Sequence, residues 1–251
     1  MTGAPLPQLV IAAFLTFCRV GACFMTMPGF SSARVPMQVR LFVAVATSLA
    51  LLANLSDVIL PYAGSGAAIL LKTVVSELLT GLLIGTVARL YILALEFITT
   101  AISTMMGFSG SGGVALLEEY AESPLGAIIS FSALMLLFAL NFHFEIIRAL
   151  ISSYRIAPID VVFNPQTALI NVSDTISNAF FVTLRLGSPF IAYALLINLT
   201  TGFINKLAPQ IPVYFISLPF IIAGGLILMY FGIPSLLSLY ADSFVPVTVG
   251  R

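Results

Sequence analysis

Long apolar runs fill this sequence, and short segments rich in proline or polar residues separate them. The first two runs, Leu9–Met27 and Leu41–Leu60, are each long enough to cross a bilayer as one helix. Pro28 and Gly29 end the first run, because proline and glycine together stop a helix. Ala67–Met106 continues for about forty residues without a proline, about twice an ordinary span. That run predicts either a tight helical pair or one very long helix.

The apolar run Leu125–Leu150 predicts a single helix in the middle of the chain. Ser123 followed by Pro124 is typical of a helix start, where serine caps the N-terminus and proline occupies the first turn. A polar segment, Ser152–Thr175, follows this helix and is the longest in the chain. We expect this segment to be a connection between helices.

Prolines interrupt the apolar runs in the last third of the chain. Thr175–Lys206 contains Pro189, which removes a backbone donor and should kink or split the helix there. A second break falls at residues 207–212, which contain two more prolines. Val213–Phe231 is the last run of spanning length, and residues 241–251 are predicted to form a short tail.

The composition indicates a membrane protein. The chain has 251 residues, of which 60% are hydrophobic and 8% charged, and its mean hydropathy is +1.12. A soluble domain has about a quarter of its residues charged, because they cover its surface. The sequence therefore predicts an all-α, membrane-associated fold. Ten basic and ten acidic side chains cancel, so the net charge offers no footprint for nucleic acid.

Six charged residues lie inside the apolar runs, where charge is expensive. An arginine facing lipid at the bilayer centre costs roughly 2.5–3.5 kcal/mol, so we expect a partner for Arg19 near the middle of the first run. Arg89 and Glu96 share a helix face, and a third group is expected to bridge them. So many charges in one modest chain predict that much of its surface is buried in a larger assembly. The six are Arg19, Lys72, Glu77, Arg89, Glu96 and Arg185.

Gly81 and Gly85 form a small-residue pair in the long third run. Two glycines four residues apart share one helix face and let another backbone approach closely, which is how helices associate inside a bilayer. The pair predicts a helix contact, although chance is the alternative in a chain with eighteen glycines.

Gly107–Pro124 differs from the rest of the chain. It contains four glycines followed by Glu118, Glu119 and Glu122, in a sequence where charge is scarce. Because glycine lacks the Cβ that restricts the backbone, this segment is a candidate for a moving or lining part. An ordinary loop between helices is the alternative.

Two other function classes remain open from the residues alone. Gly107-Phe108-Ser109-Gly110 resembles the nucleophile site of rhomboid intramembrane proteases, with His143 as a candidate base, but rhomboids carry their histidine in a different motif. Ionisable residues within broken apolar helices also fit a secondary transporter, although no internal repeat relates the two halves. A zinc hydrolase is excluded by the lone histidine, and we expect no cofactor.

The last third of the chain contains a specific set of motifs: Leu186–Pro189, Asn198-Leu199, Gly202–Gln210 and Pro219. This set resembles the FliR family of flagellar export-gate proteins. Two upstream regions also resemble that family, so the resemblance covers nearly the whole chain. Pro212 and Glu118–Pro124 depart from the pattern of many members. The upstream residues are Pro28–Phe30, Pro36 and Arg40, and then His143, Ser153-Tyr154 and Pro158.

The resemblance implies a fold, a function and a set of partners. It implies one helical domain over residues 1–251, with long kinked hairpins like a joined FliP and FliQ pair. The function implied is a non-enzymatic core subunit of the flagellar type III export gate. With FliP and FliQ it would form an inner-membrane channel for unfolded export substrates within the flagellar basal body, with FlhB docked on it and FlhA nearby.

The resemblance also implies roles for individual residues. Gly107–Pro124 corresponds to a plug across the pore, because soft side chains can close a channel and glycines let a loop move aside. The predicted plug residues are Met105, Met106, Gly107, Phe108, Ser109, Gly110, Gly112 and Gly113, with Glu118, Glu119 and Glu122 as an acidic rim. The predicted packing and assembly residues are Arg19, Gly81, Gly85, Arg89, Glu96, Gly202, Lys206, Pro209 and Gln210.

Overall fold

The described part of the chain is built from seven α-helices. A computed structural model describes residues 5–30, 35–107, 124–159, 161 and 163–248, and these residues contain no strand. The helices are α1 Leu6–Thr26, α2 Met37–Ala63, α3 Ala67–Met105, α4 Pro124–Ala139, α5 Phe142–Ile156, α6 Pro165–Leu207 and α7 Val213–Thr248. Five of them, α1, α2, α3, α6 and α7, are long and apolar enough to cross a membrane. The prediction of an all-α membrane protein is confirmed.

The helices divide into two compact units. The first unit contains α1, α2, α3 up to Ile92, α5, and α6 up to Ser177. The second unit contains α3 from Leu93, α4, the rest of α6, and most of α7. The long helices α3 and α6 therefore contribute to both units. The single domain over residues 1–251 stays a prediction.

The first two helices end close to where the sequence predicts. α1 begins after Pro5 and ends at Thr26, and Gly29 adopts a φ of 85°, which favours glycine over residues with a side chain. α2 continues through Pro61 to Ala63, a few residues beyond the predicted end. Pro61 lacks the N–H that a helix would donate to the carbonyl oxygen of Asp57, so one backbone bond is missing in this last turn.

The long third run forms one helix. α3 contains 39 residues without interruption, so the alternative of a helical pair does not hold. At 1.5 Å per residue it is about 58 Å long, roughly twice the thickness of the hydrocarbon core.

The predicted single helix over Leu125–Leu150 is wrong, because the chain breaks at Asn141. Asn141 has a φ of 59°, in the left-handed region that asparagine tolerates better than most residues. Its N–H donates to the carbonyl oxygen of Phe138 at 3.0 Å, which closes the end of α4. α5 then begins at Phe142.

The predicted long polar connection is also too long at both ends. α5 extends to Ile156, and α6 begins at Pro165. Asn164 caps α6, since its Oδ1 accepts a hydrogen bond from the N–H of Gln166 at 3.0 Å. The polar side chains that favoured a loop therefore lie on helices.

Pro189 does not split α6. Proline leaves the carbonyl oxygen four residues earlier, that of Arg185, without its usual donor. The hydroxyl of Ser188 donates to that oxygen at 3.0 Å and replaces the missing bond. The helix therefore continues from Pro165 to Leu207.

The predicted end of the last run near Phe231 is wrong as well. α7 continues past Pro234 to Thr248, so much of the predicted tail is helical. Met229, Leu236 and Tyr240 are buried at spacings of seven and four residues, which place them on one helix face. Packing along this face continues across the proline. The predicted break at residues 207–212 is confirmed, because α6 ends at Leu207 and α7 begins at Val213.

Candidate functional site

Arg19 forms a buried ion pair inside the first unit. Its side chain is 2% exposed, and that of its partner Glu77 is 1% exposed. The Nε atom of Arg19 donates to Oε2 of Glu77 at 2.7 Å, and Nη2 donates to Oε1 at 2.6 Å. Two parallel bonds of this kind fix both the distance and the angle between the groups. The pair therefore locks α1 to α3.

The other donors of Arg19 are satisfied by α5 and the residue after it. Nη1 donates to the hydroxyl of Ser153 at 3.0 Å, and Nη2 donates to the carbonyl oxygen of Ala157 at 3.0 Å. The guanidinium carbon lies 3.8 Å from the ring centroid of Tyr154, a cation–π contact. We call Arg19, Glu77, Ser153, Tyr154 and Ala157 the arginine cluster.

The arginine cluster is structural. Ser153 and Tyr154 are buried together with the ion pair, so no substrate can reach the charged atoms. Burial, with a smaller contribution from the Glu77 carboxylate, raises the pKa of Tyr154, so its ring remains neutral beneath the cation. The cluster positions three helices and leaves no surface for chemistry.

Sequence reasoning predicted that Arg19 would have a partner but did not identify which one. Glu77 lies 58 residues away along the chain, and its only signal was an opposite charge inside an apolar run. Ser153 and Tyr154 belonged to the family resemblance, but nothing in their spacing connects them to Arg19. The expectation that in-run charges need partners from elsewhere does not hold for this pair.

Gly81 and Gly85 form the predicted helix contact, and its partner is α1. A Cβ atom built on Gly85 would lie 2.7 Å from the carbonyl oxygen of Cys23, and one on Gly81 would lie 2.8 Å from the carbonyl carbon of Arg19. Real Cβ atoms essentially never approach so closely. Only glycine lets the backbones of α1 and α3 approach so closely beside the arginine cluster.

Three of the remaining charges within the runs face outward. Lys72, Arg89 and Arg185 are exposed in this chain, and none of them forms an ion pair within the described residues. Arg89 belongs to the first unit and the half-buried Glu96 to the second. The group predicted to bridge these two is therefore not identified.

The stretch that most resembles the FliR family is an exposed turn. Gly202–Gln210 ends α6 and starts the connection to α7, and every residue in it except Ala208 is exposed. A Cβ on Gly202 would meet nothing within 4 Å. Phe203 and Leu207 are 65% and 85% exposed. Lys206, Pro209 and Gln210 are exposed as well.

Only the start of the predicted plug lies within the described residues. Met106 is 1% exposed and packs in the second unit, where a Cβ on Gly225 would lie 2.9 Å from its Cγ. Met105 is 38% exposed. Gly107 has a φ of 77°, which turns the chain sharply after α3. Outside the described residues lie Phe108, Ser109, Gly110, Gly112, Gly113, Glu118, Glu119 and Glu122.

The candidate nucleophile and the candidate base of the protease hypothesis both lie outside the described side chains. Ser109 lies outside the described residues, and only the backbone of His143 is described. Within the described residues, no group of three or more His, Cys, Asp or Glu side chains is placed to hold a metal ion.

Comparison with known proteins identifies one family whose model matches most of the chain. The family described as "Bacterial export proteins, family 1" matches residues 10–246. The Flagellar biosynthetic protein FliR of Caulobacter vibrioides is 29% identical over 243 residues, which cover 94% of this chain and 94% of that protein.

Two further relatives carry the same name. The Flagellar biosynthetic protein FliR of Escherichia coli is 27% identical over 216 residues, covering 86% of this chain and 82% of that protein. The one from Bacillus subtilis is 26% identical over 226 residues, covering 88% and 86%. Matches in three distant bacteria extend over both units and include the exposed turn.

Proposed function

This chain belongs to the FliR family of bacterial export proteins, and we propose that it is a core subunit of the flagellar type III export gate. It is a membrane protein and a component of the flagellar export apparatus. In the finer proposal, it forms with FliP and FliQ a channel through which unfolded substrates leave the cytoplasm. The match over 94% of both this chain and its Caulobacter relative is the observation that carries this proposal.

The exposed surface of the chain supports a role within an assembly. In α7, 11% of the 18-residue apolar stretch is buried within the chain, whereas in α1 the buried share is 50%. Lipid can cover apolar side chains, but it does not satisfy an exposed arginine in the middle of a run such as Arg185. Charged side chains within spans usually face other protein or water. We therefore expect neighbouring subunits to cover part of this surface.

We propose that the residues after α3 help to seal the channel. A protein-conducting pore must exclude ions when idle and open without a large barrier, and a soft apolar constriction can do both. Met105 is exposed at the end of α3, and Gly107 turns the chain immediately after it. The plug itself, residues 107–124, remains a proposal that these two positions support.

The proposed subunit is non-enzymatic and takes no cofactor. We place it in the inner membrane within the flagellar basal body, with FlhB and FlhA as further partners. Membership of the family supports this placement.

Export by living cells tests the function. A strain lacking this chain should secrete no flagellar subunits, and a plasmid copy should restore secretion to the medium. The variant Ser109→Ala should restore it equally well, because a plug loop needs no nucleophile. Loss of secretion with Ser109→Ala at normal protein level would favour the protease reading.

Deletion of Gly110–Gly113 tests the plug. We expect either leakage of ions through the membrane, measured as a lower membrane potential, or a block of export. A strain with normal potential and normal export would contradict the plug.

A further inference from the structure

The outward face of α3 has a regular pattern that the packing within the chain leaves unused. Its residues alternate at spacings of three and four, and we call the set the α3 seam. In the chain alone Thr86 is half-buried and the other members are exposed, whereas the adjacent face carries Gly81 and Gly85 against α1. The seam consists of Lys72, Val75, Leu79, Leu82, Thr86 and Arg89.

Alternation of three and four residues is the pattern of a helix that packs lengthwise against another helix. A repeat of 3.5 keeps the same stripe facing its partner, so that side chains of one helix insert between those of the other. Every straight stripe on a helix has this spacing, so the spacing shows that the seam can follow one partner helix, and Arg89 decides between a helix and lipid. Thr86 fits this role, because its hydroxyl already donates to the carbonyl oxygens of Leu82 and Leu83 at 2.8 and 2.9 Å. The threonine therefore presents no unsatisfied donor to a partner.

Arg89 gives the seam a specific chemical requirement. It is exposed, it lies among apolar residues, and it forms no ion pair with any described residue. It is 22 residues from the start of α3 and 16 from its end, or about 33 and 24 Å. An arginine in such a run needs an anionic partner, and a carboxylate meets the guanidinium with two bonds.

Arg19 is another arginine within an apolar run, and its partner is a carboxylate. Arg19 in α1 receives the carboxylate of Glu77 from α3 in a bidentate pair. Arg89 has no equivalent within the first unit. The same solution, supplied from outside, would satisfy it.

We propose that the α3 seam binds an apolar helix of another export-gate subunit, and that this helix carries an Asp or Glu opposite Arg89. The inference rests on the proposed function, because it assumes an assembly of several membrane proteins. Leu79 and Leu82 form the apolar centre of the contact. A charged residue at one core position of such a contact fixes the register of the two helices. Arg89 therefore determines how far along α3 the partner helix sits.

Site-specific photo-cross-linking identifies the occupant. The photoreactive residue p-benzoyl-phenylalanine replaces Leu78, which flanks the seam and is 43% exposed, in cells that produce the other gate subunits. We expect one adduct with the mass of this chain plus another subunit, and we expect Arg89→Glu to remove it. Adducts with lipid only, adducts with a second copy of this chain, or no adduct would each overturn the proposal.

Charge reversal tests the carboxylate. With FliP and FliQ co-expressed, Arg89→Glu should lower the amount of recovered complex by at least about tenfold, the factor for each 1.4 kcal/mol. Arg89→Lys should lower it less, because lysine keeps the charge but loses the bidentate geometry. Arg155→Glu is the matched control, since Arg155 is exposed on α5 and lies outside the seam. Replacing the partner's acid with lysine should restore the Arg89→Glu complex.

The two failures are distinguishable. If the unmodified chain does not co-purify with FliP and FliQ, both the proposed function and the seam proposal are wrong. If it does co-purify and Arg89→Glu assembles as well as the unmodified chain, only the seam proposal is wrong.

Discussion

The interior of the first unit and the surface of the second treat polar groups in opposite ways. The interior of the first unit is built around the arginine cluster, where the Nε, Nη1 and Nη2 atoms of Arg19 all have partners on α3, on α5 or just beyond it. The second unit leaves Arg185, Lys206 and most of α7 exposed. In lipid, apolar burial supplies little driving force between helices, so close backbone contact and polar pairs stabilise the packing. The interior of the first unit has both within the chain, whereas we expect exposed charges, Arg185 in the second unit and Arg89 in the first, to obtain partners from other subunits.

The largest effect is expected from breaking the arginine cluster. Arg19→Leu leaves the Glu77 carboxylate buried without its cation, and losing one partner of a buried pair costs about 3–5 kcal/mol. We expect a strong loss of full-length chain from the membrane and a lower thermal midpoint. The midpoint is measurable in detergent by circular dichroism, since the chain has no tryptophan for fluorescence.

A double variant separates charge from packing at this site. Arg19→Met combined with Glu77→Leu removes both charges, and apolar replacement of a whole buried pair is often close to neutral. The double variant should therefore be more stable than either single variant. Equal instability of all three would mean that the pair is not the stabilising feature.

A glycine in each unit gives the second comparison. Gly85→Ala forces a Cβ against the Cys23 carbonyl, and such overpacking costs about 1–3 kcal/mol. Gly202→Ala has open space and should stabilise the isolated chain slightly, because alanine favours a helix by up to about 1 kcal/mol. Thermal midpoints of the two purified variants measure this difference.

A bulky substitution at Gly202 is also expected to weaken assembly with other subunits. A bulky change, Gly202→Leu, should leave the folded chain intact and reduce its recovery with FliP and FliQ, because the exposed turn is a predicted assembly surface. Normal recovery would remove Gly202 from that surface.

A smaller effect is expected at Ser188. Ser188→Ala leaves the Arg185 carbonyl without the donor that replaces the bond lost at Pro189, and one hydrogen bond contributes about 0.5–1.5 kcal/mol. Ser217→Ala is the matched control: that hydroxyl donates to the Tyr214 carbonyl at 3.1 Å, an oxygen that no proline deprives of its usual donor. A change at Ser188 no larger than at Ser217 would contradict the role given to this hydroxyl.

Much of the fold was predictable because apolar run length and helix length are directly linked. The stop at Pro28 and Gly29 and the break before Val213 follow from the order of residue types. For α3 the length of the apolar run left two forms open, and the structure shows the single long helix. The FliR family, predicted from residues such as those in Gly202–Gln210, is confirmed by the match over residues 10–246.

The errors have separate physical causes. Prolines were given too much weight, since a single lost backbone bond can be replaced by a neighbouring hydroxyl, as at Ser188, or outweighed by packing beyond it, as at Tyr240. The break at Asn141 was missed because a left-handed asparagine leaves no mark on the apolar pattern. The partner of Arg19 could not be predicted, because the pair with Glu77 depends on how three helices meet.

The mass of the solubilised complex tests the central claim most directly. The chain is expressed alone and together with FliP and FliQ, extracted in detergent and measured by native mass spectrometry. We predict that the chain alone unfolds at a lower temperature than it does in the complex, and that co-expression gives one discrete large species containing all three proteins. A stable particle of one chain, indifferent to FliP and FliQ, would contradict the account and indicate a self-contained transporter.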